Sequence, residues 1–227
     1  MKKSQNSIEK WESVFKKNQH TSRWPWSDLI SYVVKYGGIT EEGGKVLELG
    51  CGTGANVPFF LSRGLEYYTV EGSEFAVRTL KKEYREIEDN FVCGDFTRHI
   101  PFQGPFDLIV DRSSIKHNGR DDIERTVESV HSLLKPNGRF IGIDWSSTEH
   151  TSFTKSEATT GDPYFRTACE QGSLKNIGGV FFFSEEYLLE LLSDFEILFL
   201  EHKEQKRVIP SDNYNEAGWL FVAGKNG

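Results

Sequence analysis

Three glycines at alternate positions are the residues of this sequence whose type and spacing point most directly to ligand binding. They are Gly50, Gly52 and Gly54. A short apolar run with a β-branched member, residues 46–49, precedes them and predicts a buried strand. Residues 56–63 follow and predict the start of a helix. Because glycine tolerates positive φ and lets the backbone approach a ligand, the arrangement predicts a crevice with free backbone N–H groups at the carboxyl end of a strand.

The spacing of the glycines and one acidic residue narrow the chemistry of this turn. The order G-x-G-x-G departs from the G-x-G-x-x-G pattern of dinucleotide-binding folds. Glu48 stands two positions before the first glycine. A carboxylate there is badly placed for a pyrophosphate and well placed for a ligand with an ammonium or sulfonium charge. Without a ligand, three glycines and a buried carboxylate would only destabilise the turn.

A second acidic residue ends the next predicted strand. Residues 66–70 form that strand, and Glu71 follows it, 17 residues after Gly54. A carboxylate at the end of the second strand is placed to accept hydrogen bonds from both ribose hydroxyls of a nucleoside. The alternative is a solvated carboxylate in a turn, but the position relative to the glycine turn favours a nucleoside site.

Apolar patterns along the chain predict the elements that position these residues. Continuous apolar runs are typical of buried parallel strands, and 3.6-residue spacing is typical of helices. A long polar connection at about 146–180 is expected to serve the site, because such stretches within a domain are usually functional. The predicted strands are 46–49, 66–70, 90–93, 105–111, 139–143, 195–200 and 218–223. The predicted helices are 7–17, 28–36, 56–63, 74–86 and 185–192, with another carrying Ile123, Val127 and Val130 on one face.

Composition excludes several classes of function. The chain has 227 residues and a formal net charge of −7, which disfavours a broad nucleic-acid or anionic-membrane surface. Three cysteines without paired spacing indicate a reducing compartment, so a cytoplasmic location is expected. The sequence shows no cluster of metal ligands, no apolar run behind the first lysines and no 18-residue apolar segment. Neither a metal, a signal peptide nor a membrane span is therefore expected.

The segment ELGCGTG, residues 48–54, resembles the first motif of class I S-adenosylmethionine-dependent methyltransferases. After the fourth predicted strand, the family often has a short apolar turn ending in His, then a helix and L-K-P-x-G. Ile115, Lys116 and His117 hold the place of that turn, and residues 134–138 (LKPNG) follow the helix. The resemblance covers about residues 46–223.

The resemblance implies an α/β fold for the whole chain. It is a three-layer sandwich with a seven-stranded, mostly parallel sheet, an antiparallel last strand and helices on both faces. Extra N-terminal helices are expected to form a lid. We therefore expect a single methyltransferase domain over 1–227, with the lid at 1–44, a Rossmann-like core at 45–227 and a substrate-side insertion at about 146–180.

The resemblance also implies S-adenosylmethionine as cofactor and a set of residues that bind it. In the family an aspartate after the third strand takes the exocyclic amine of adenine, and its neighbour lies against the ring. Asp95 and Phe96 suit those roles as an acceptor beside a stacking surface. Cys51 is expected to contact the cofactor as a small side chain and not as a nucleophile. The predicted cofactor-binding residues are Arg23, Glu48, Gly50, Cys51, Gly52, Asn56, Glu71, Gly72, Gly94, Asp95, Phe96, Asp111, Arg112 and Ser113.

Methyl transfer from a sulfonium is an in-line displacement with an activated leaving group, so the protein mainly positions the acceptor and excludes water. A hydroxyl acceptor also benefits from a general base, whereas a carboxylate or an unprotonated amine needs none. His117 is the predicted catalytic residue, because an unperturbed imidazole titrates near neutral pH. The alternative is that it packs near the cofactor without taking a proton. Asp144 and His150 are further base candidates.

The acceptor is expected to be a small molecule, because the acidic chain lacks a recognisable nucleic-acid or targeting segment. Aromatic residues near the predicted mouth favour a partly apolar or sugar-like acceptor. Neither a nucleic acid nor a membrane is expected as partner, and the protein is expected to be a monomer or homodimer. The predicted acceptor-binding residues are Trp26, Trp145, His150, Tyr164 and Arg166.

Two other functions share the first half of this pattern. A non-catalytic nucleoside-binding or interaction module could keep the fold without turnover, although three carboxylates near one ligand, Glu48, Glu71 and Asp95, speak against a decayed site. A nicotinamide oxidoreductase has the same β-α-β start, but the glycine spacing and the LKPNG segment disfavour it.

Overall fold

A sheet with helices on both faces forms the core of the protein, whose computed structural model describes residues 3–39, 43–159, 161–167, 169–209 and 211–227. The strands are β1 (Lys45–Leu49), β2 (Glu66–Glu71), β3 (Phe91–Cys93), β4 (Phe106–Arg112), β5 (Leu134–Ser146), β6 (Phe165–Arg166), β7 (Val180–Phe181), β8 (Glu196–Lys206) and β9 (Asn215–Gly224). The helices are α1 (Lys3–Lys16), α2 (Ser27–Tyr36), α3 (Val57–Ser62), α4 (Glu74–Glu83), α5 (Arg120–Leu133), α6 (Thr151–Lys155) and α7 (Glu185–Leu191).

The strand order confirms the predicted seven-stranded sheet. It is β3-β2-β1-β4-β5-β9-β8, and β1 to β5 pair in parallel. The last strand, β9, is antiparallel to both β5 and β8. Since β1 lies between β2 and β4, the order of the strands reverses at β1. The carboxyl ends of the strands at such a reversal are where open α/β sheets bind ligands.

Alternating side chains send the two faces of each strand into two separate apolar layers. Leu47 and Leu49 of β1 pack with residues of α5 and α7 on one face, while Val46 packs with α2, α3 and α4 on the other. These strands are thus buried on both sides, which explains their nearly continuous apolar sequence. None of the helices within the described residues has the length and apolar character that crossing a bilayer requires.

The two N-terminal helices play different parts. Helix α1 packs against α4, and Glu12 accepts hydrogen bonds from the Ser73 hydroxyl and from the Phe75 N–H at the start of α4. This places α1 across the carboxyl edge of the sheet. Helix α2 instead buries Leu29 and Val33 in the core layer under β1 and β5, so that only its first turn reaches the site.

The polar connection after β5 is more ordered than its sequence indicates. It contains α6 and a separate two-stranded sheet of β6 and β7, and Phe165 and Phe181 join the main core. Strands β8 and β9 are also longer than predicted, because their polar ends continue to pair as far as Lys206 and Asn215. The apolar pattern could not indicate this extension, since those residues are mostly exposed.

Candidate active site

A cavity of about 890 Å³ opens at the carboxyl ends of β1, β2 and β4. The glycine turn, the ends of β2 and β3 and the segment after β4 form its floor, and α1 contributes Ile8, Trp11 and Phe15 from above. The far end is bounded by residues of the 146–180 connection and of the β8–β9 hairpin. Twelve of the fourteen predicted cofactor-binding residues contribute to the lining, namely Glu48, Gly50, Cys51, Gly52, Asn56, Glu71, Gly72, Gly94, Asp95, Phe96, Arg112 and Ser113.

The glycine turn requires glycine for two physical reasons. Gly50 has a φ of +67° and Gly54 a φ of +82°, in the left-handed region that a side chain disfavours. A Cβ on Gly50 would also lie 2.4 Å from Cβ of Ser114, and one on Gly54 would lie 2.2 Å from Leu80. The turn therefore brings its backbone against the segment after β4 and against α4, and its backbone faces the cavity.

Glu71 ties the glycine turn to the end of β2. Its Oε2 accepts a hydrogen bond from the Gly52 N–H at 2.8 Å, and its Oε1 accepts one from the Ser73 N–H at 2.7 Å. The residue is 6% exposed, and burial raises the pKa of its carboxyl group against the effect of these N–H donors. A carboxylate has about four lone-pair positions. Glu71 therefore retains acceptor capacity toward the cavity that it lines.

Glu48 has a different environment from the one its position suggests. Its Oε1 accepts from the Asn56 side-chain amide and its Oε2 from the Tyr67 hydroxyl, each at 2.7 Å. Burial raises the pKa of Glu48 to about 7. Both carboxylate oxygens thus have partners inside the protein, and a contact of Glu48 with a cationic ligand stays a prediction. Glu48 holds Asn56, whose Oδ1 accepts from the Trp26 N–H at 3.2 Å and so fixes the loop before α2.

The segment after β3 places an acceptor and a ring side by side. Asp95 Oδ1 accepts hydrogen bonds from the N–H and the hydroxyl of Thr97, and Oδ2 lies 3.3 Å from Arg98. The ring of Phe96 lies next to Gly50, since a Cβ there would be 3.5 Å from it. Both residues line the cavity on the side of the glycine turn. The arrangement suits a planar base with an exocyclic amine.

Two predicted cofactor contacts do not reach the cavity. Asp111 is fully buried beneath the turn and accepts hydrogen bonds from the Ser114 and Ile115 N–H groups and from the Trp145 indole, so it shapes the loop after β4 from below. Burial raises the pKa of Asp111 to about 6. Arg23 lies exposed on the loop before α2, outside the lining.

Arg112 joins α2 to the end of β5 at the rim of the cavity. Its guanidinium donates to both carboxylate oxygens of Asp28 at 3.0–3.1 Å and pairs with Asp144 at 2.8 Å. It also stacks on Trp26 at 4.0 Å from the ring centre. Its charge is therefore balanced within the protein, and Trp26 lines the cavity as predicted for the acceptor side.

His117 lies in the cavity lining, on the 3₁₀ turn Ile115–His117, but it is not a histidine that titrates near neutrality. Its Nδ1 lies 3.0 Å from the Gly179 carbonyl oxygen, which can only accept, so Nδ1 carries the proton. The ring packs edge-on against Trp11 at 5.2 Å. Burial lowers the pKa of His117 to about 3, helped by the charge of Lys116. The expected reason for a basic role is therefore wrong, and Nε2 is left as the acceptor of a neutral imidazole.

The lowered pKa of His117 predicts a pH-dependent stability effect. Below pH 6.5 the unfolded chain binds a proton that the folded protein does not, so His117 lowers the free energy of unfolding as pH falls toward 3. Between pH 6.5 and 5 we expect the difference in unfolding free energy between wild type and His117→Gln to shift by about 2 kcal/mol in favour of the variant. Urea unfolding at both pH values measures it, and other titrating groups cancel in the difference.

The control is His99→Gln, a substitution at an exposed position. Its difference from wild type is expected to be the same at pH 5 and pH 6.5. A shift in His99→Gln equal to that in His117→Gln, or no shift in either variant, would contradict the burial of a neutral His117.

Three predicted acceptor-binding residues are structural. Trp145 is fully buried in the core and donates its indole N–H to Asp111 at 2.7 Å. Tyr164 packs with Phe181 and Tyr187 beside Arg120, and Arg166 is buried with its guanidinium on backbone carbonyl groups. None of the three lines the cavity. The pairing of β5 with β9 turns Trp145 into the core, and the connection folds back as β6 and β7 and carries Tyr164 and Arg166 away from the site.

The part of the chain that carries the glycine turn and the central strands also matches known proteins. Residues 46–138 match the family model of a methyltransferase domain. A methyltransferase from Methanosarcina mazei that depends on S-adenosylmethionine superposes with a TM-score of 0.67 at 17% identity, over 89% of this chain and 99% of that one. Residues 46–138 therefore carry a methyltransferase domain, and the chain has the fold of a methyltransferase that depends on S-adenosylmethionine.

Two further proteins share this methyltransferase domain's sequence or fold. Protein-L-isoaspartate O-methyltransferase from Gloeobacter violaceus is 31% identical over 138 residues, which are 59% of this chain and 62% of that protein. The 1,6-didemethyltoxoflavin-N1-methyltransferase of Burkholderia thailandensis, solved with 1,6-didemethyltoxoflavin and S-adenosylhomocysteine, has a TM-score of 0.63 at 18% identity, over 100% of this chain and 92% of that one. The chain spans less than two thirds of the length of the curated relatives that it matches.

Several residues that line the cavity are not predicted from the sequence to belong to the site. Ile8, Trp11 and Phe15 have the spacing of a core-facing helix stripe, and only the docking of α1 directs them to the site. Lys116 and His20 also line the cavity, as do Lys203 and other residues of the β8–β9 hairpin. Lysine is among the residue types least often buried, so nothing in the sequence marked Lys116 as a site residue.

Proposed function

We propose that this domain binds S-adenosylmethionine and transfers its methyl group to a small-molecule acceptor held in the same cavity. One observation carries the proposal. A single cavity joins a nucleoside-binding half, with Glu71, Asp95 and Phe96, to a second half lined by His117 and His150. Its volume of about 890 Å³ lies within the range of small-molecule sites.

The residues of the first half suit the cofactor. Glu71 has acceptor capacity for ribose hydroxyls, and its hydrogen bond to the Gly52 N–H keeps the turn open toward the cavity. Asp95 and Phe96 supply the acceptor and the stacking surface for adenine. A Cβ on Gly72 would lie 2.8 Å from Ile8 of α1, so the helix closes directly over the ribose end.

When bound, the cofactor supplies a methyl group already activated by its sulfonium. The protein's part is to position the acceptor and to exclude water, which Trp11 and Phe15 assist from above the cavity. Neutral His117 offers Nε2 as a hydrogen-bond acceptor and so can orient an O–H or N–H of the bound molecule. A group with a pKa of about 3 is a weak base, which favours acceptors that need little proton removal.

Two observations support a small acceptor. The cavity is bounded by α1, by the 146–180 connection and by the β8–β9 hairpin. The Burkholderia thailandensis methyltransferase, which has a similar fold, was solved with 1,6-didemethyltoxoflavin and S-adenosylhomocysteine bound. The name of the isoaspartate methyltransferase from Gloeobacter violaceus indicates a protein substrate, so a peptide acceptor is the alternative to test.

Calorimetric titration with S-adenosylhomocysteine, with NAD as a control ligand, tests the cofactor. We expect micromolar binding of the first and none of the second. Transfer of labelled methyl groups from S-adenosylmethionine to small molecules and to an isoaspartyl peptide then tests the acceptor class. Binding without transfer to any acceptor would favour the non-catalytic module, and binding of NAD alone would overturn the proposal.

A further inference from the structure

Lys116 is a buried lysine whose side-chain nitrogen has no carboxylate partner among the residues that the structure describes. It is 6% exposed and lies on the 3₁₀ turn between β4 and α5, in the lining of the cavity. Its Nζ donates to the Asp144 carbonyl oxygen at 2.8 Å. Among the described residues no carboxylate forms an ion pair with it, in contrast to Arg112 beside it. An ammonium has three N–H donors, so two remain for a ligand.

The backbone of β5 is shaped to meet this lysine. Asp144 has a φ of +58°, and the pairing of β5 with β9 shifts register between Gly142 and Trp145. This irregularity turns the Asp144 carbonyl to Lys116 and its carboxylate to Arg112. Irregular strand positions of this kind are frequent beside functional sites, where they redirect particular groups.

A second donor lines the same part of the cavity. His150 is buried, and its Nδ1 accepts a hydrogen bond from the Ser152 N–H at 3.0 Å. A neutral ring in this state carries its proton on Nε2, which is a donor. Burial and the charge of Lys116 lower the pKa of His150 to about 4, so the ring is neutral at physiological pH.

We propose that Lys116 anchors a carboxylate of the methyl acceptor, with His150 Nε2–H as a second donor. This inference rests on the proposed function and names the acceptor's chemical class. Burying an unpaired ammonium is costly, and an anion supplied by the ligand offsets that cost when the site fills. A carboxylate fits better than a phosphate dianion, because Lys116 offers at most one positive charge and Arg112 is already neutralised by Asp28 and Asp144.

The remainder of the acceptor is expected to be apolar. Leu174 and Ile177 line the cavity from the 146–180 connection, and Trp11 lines it from α1. Burial lowers the pKa of Lys116, and Arg112 adds to this effect, while Asp144, Asp111 and Glu216 oppose it. A carboxylate of the ligand acts in the same direction as these three and stabilises the ammonium form. An organic acid with an aromatic or aliphatic body therefore matches both the charge and the surface of this half.

Matched pairs of an acid and its amide test the proposal while the natural acceptor is still unidentified. The probes are benzoate, phenylacetate and 4-hydroxyphenylacetate, each with its carboxamide, titrated by tryptophan fluorescence with and without saturating S-adenosylhomocysteine. In the wild type we expect the acid of at least one pair to bind tenfold or more tightly than its amide, the scale of hydrogen bonds to a charged group. In Lys116→Met, whose side chain has similar length, we expect that preference to disappear while affinity for S-adenosylhomocysteine stays within about twofold.

Lys203→Met is the matched control. Lys203 also lines the cavity, but it is paired with Glu201 at 3.2 Å, so the acid preference is expected to remain in this variant. Equal loss in both variants would overturn the assignment to Lys116, as would weaker binding of S-adenosylhomocysteine in Lys116→Met with the acid preference intact.

The comparison within the wild type decides the question even if Lys116→Met does not fold. No acid preference in any pair, including no binding of either member, overturns the proposal. Failure of the proposed function is a separate result, because it shows as absent binding of S-adenosylhomocysteine while the acid and amide comparison is still measured without it.

Discussion

Replacing Glu71 by alanine is expected to weaken binding of S-adenosylhomocysteine by about 1–3 kcal/mol, or roughly fivefold to 150-fold. The substitution removes the acceptor proposed for the ribose hydroxyls and also releases the Gly52 and Ser73 N–H groups that it holds at 2.7–2.8 Å. Both effects act on the same ligand, since the glycine turn and the ribose site adjoin. Calorimetric titration measures the loss.

Glu74→Ala is the matched control for Glu71→Ala. Glu74 lies three residues later, at the start of α4, with an exposed side chain and a surface ion pair to Arg78 at 3.9 Å. Its removal is expected to leave the affinity within about twofold, because exposed ion pairs contribute little. An unchanged affinity in Glu71→Ala, in a variant that unfolds at the same urea concentration as wild type, would refute the ribose assignment.

Replacing Asp111 by alanine is expected to lower the free energy of unfolding by about 3 kcal/mol or more, the largest stability effect that we predict. Its carboxylate accepts hydrogen bonds from two backbone N–H groups, from the Ser114 hydroxyl and from the indole of Trp145. Alanine leaves the two backbone N–H groups and the indole N–H without this acceptor and opens a cavity under the turn, whereas the Ser114 hydroxyl can still donate to the Leu49 carbonyl oxygen at 2.7 Å. Urea unfolding followed by tryptophan fluorescence measures the change.

Asp111→Asn separates the loss of hydrogen bonds from the loss of volume. It keeps one acceptor oxygen for the Ser114 and Ile115 N–H groups but turns an amide N–H toward the indole of Trp145, so a smaller loss is expected. Asp121→Ala, at an exposed position of α5, is expected to change stability by less than about 0.5 kcal/mol. A loss in Asp111→Ala no larger than in Asp121→Ala would show that the network does not stabilise the turn.

The sequence alone predicted the central strands and the ligand side of the sheet. The reason is that these features depend on local chemistry. Residues 46–49 and 105–111 are mostly apolar because both faces of the two strands are buried, and Gly50 and Gly54 are glycine because their φ values are positive. Such requirements act on each residue separately, so a single sequence displays them.

Burial of particular polar and aromatic side chains was decided by contacts between distant segments. Trp145 follows a predicted strand and is predicted from the sequence to bind the acceptor, but β5 continues to Ser146 and pairs with β9, which turns the indole into the core. Tyr164 and Arg166 are withdrawn from the site by the pairing of β6 with β7. Strand pairings over such separations depend on the whole packing arrangement and leave no local signal.

The sequence by itself determined that this protein has an α/β sheet with a glycine turn and acidic strand ends that suit a nucleoside. Tertiary structure decided which residues complete the cavity and in which protonation state. It brought α1 over the site, lowered the pKa of His117 to about 3, and buried Lys116, whose pKa is lowered as well. The physical reason is that desolvation depends on every group packed around a side chain, and those groups come from segments far apart in the chain.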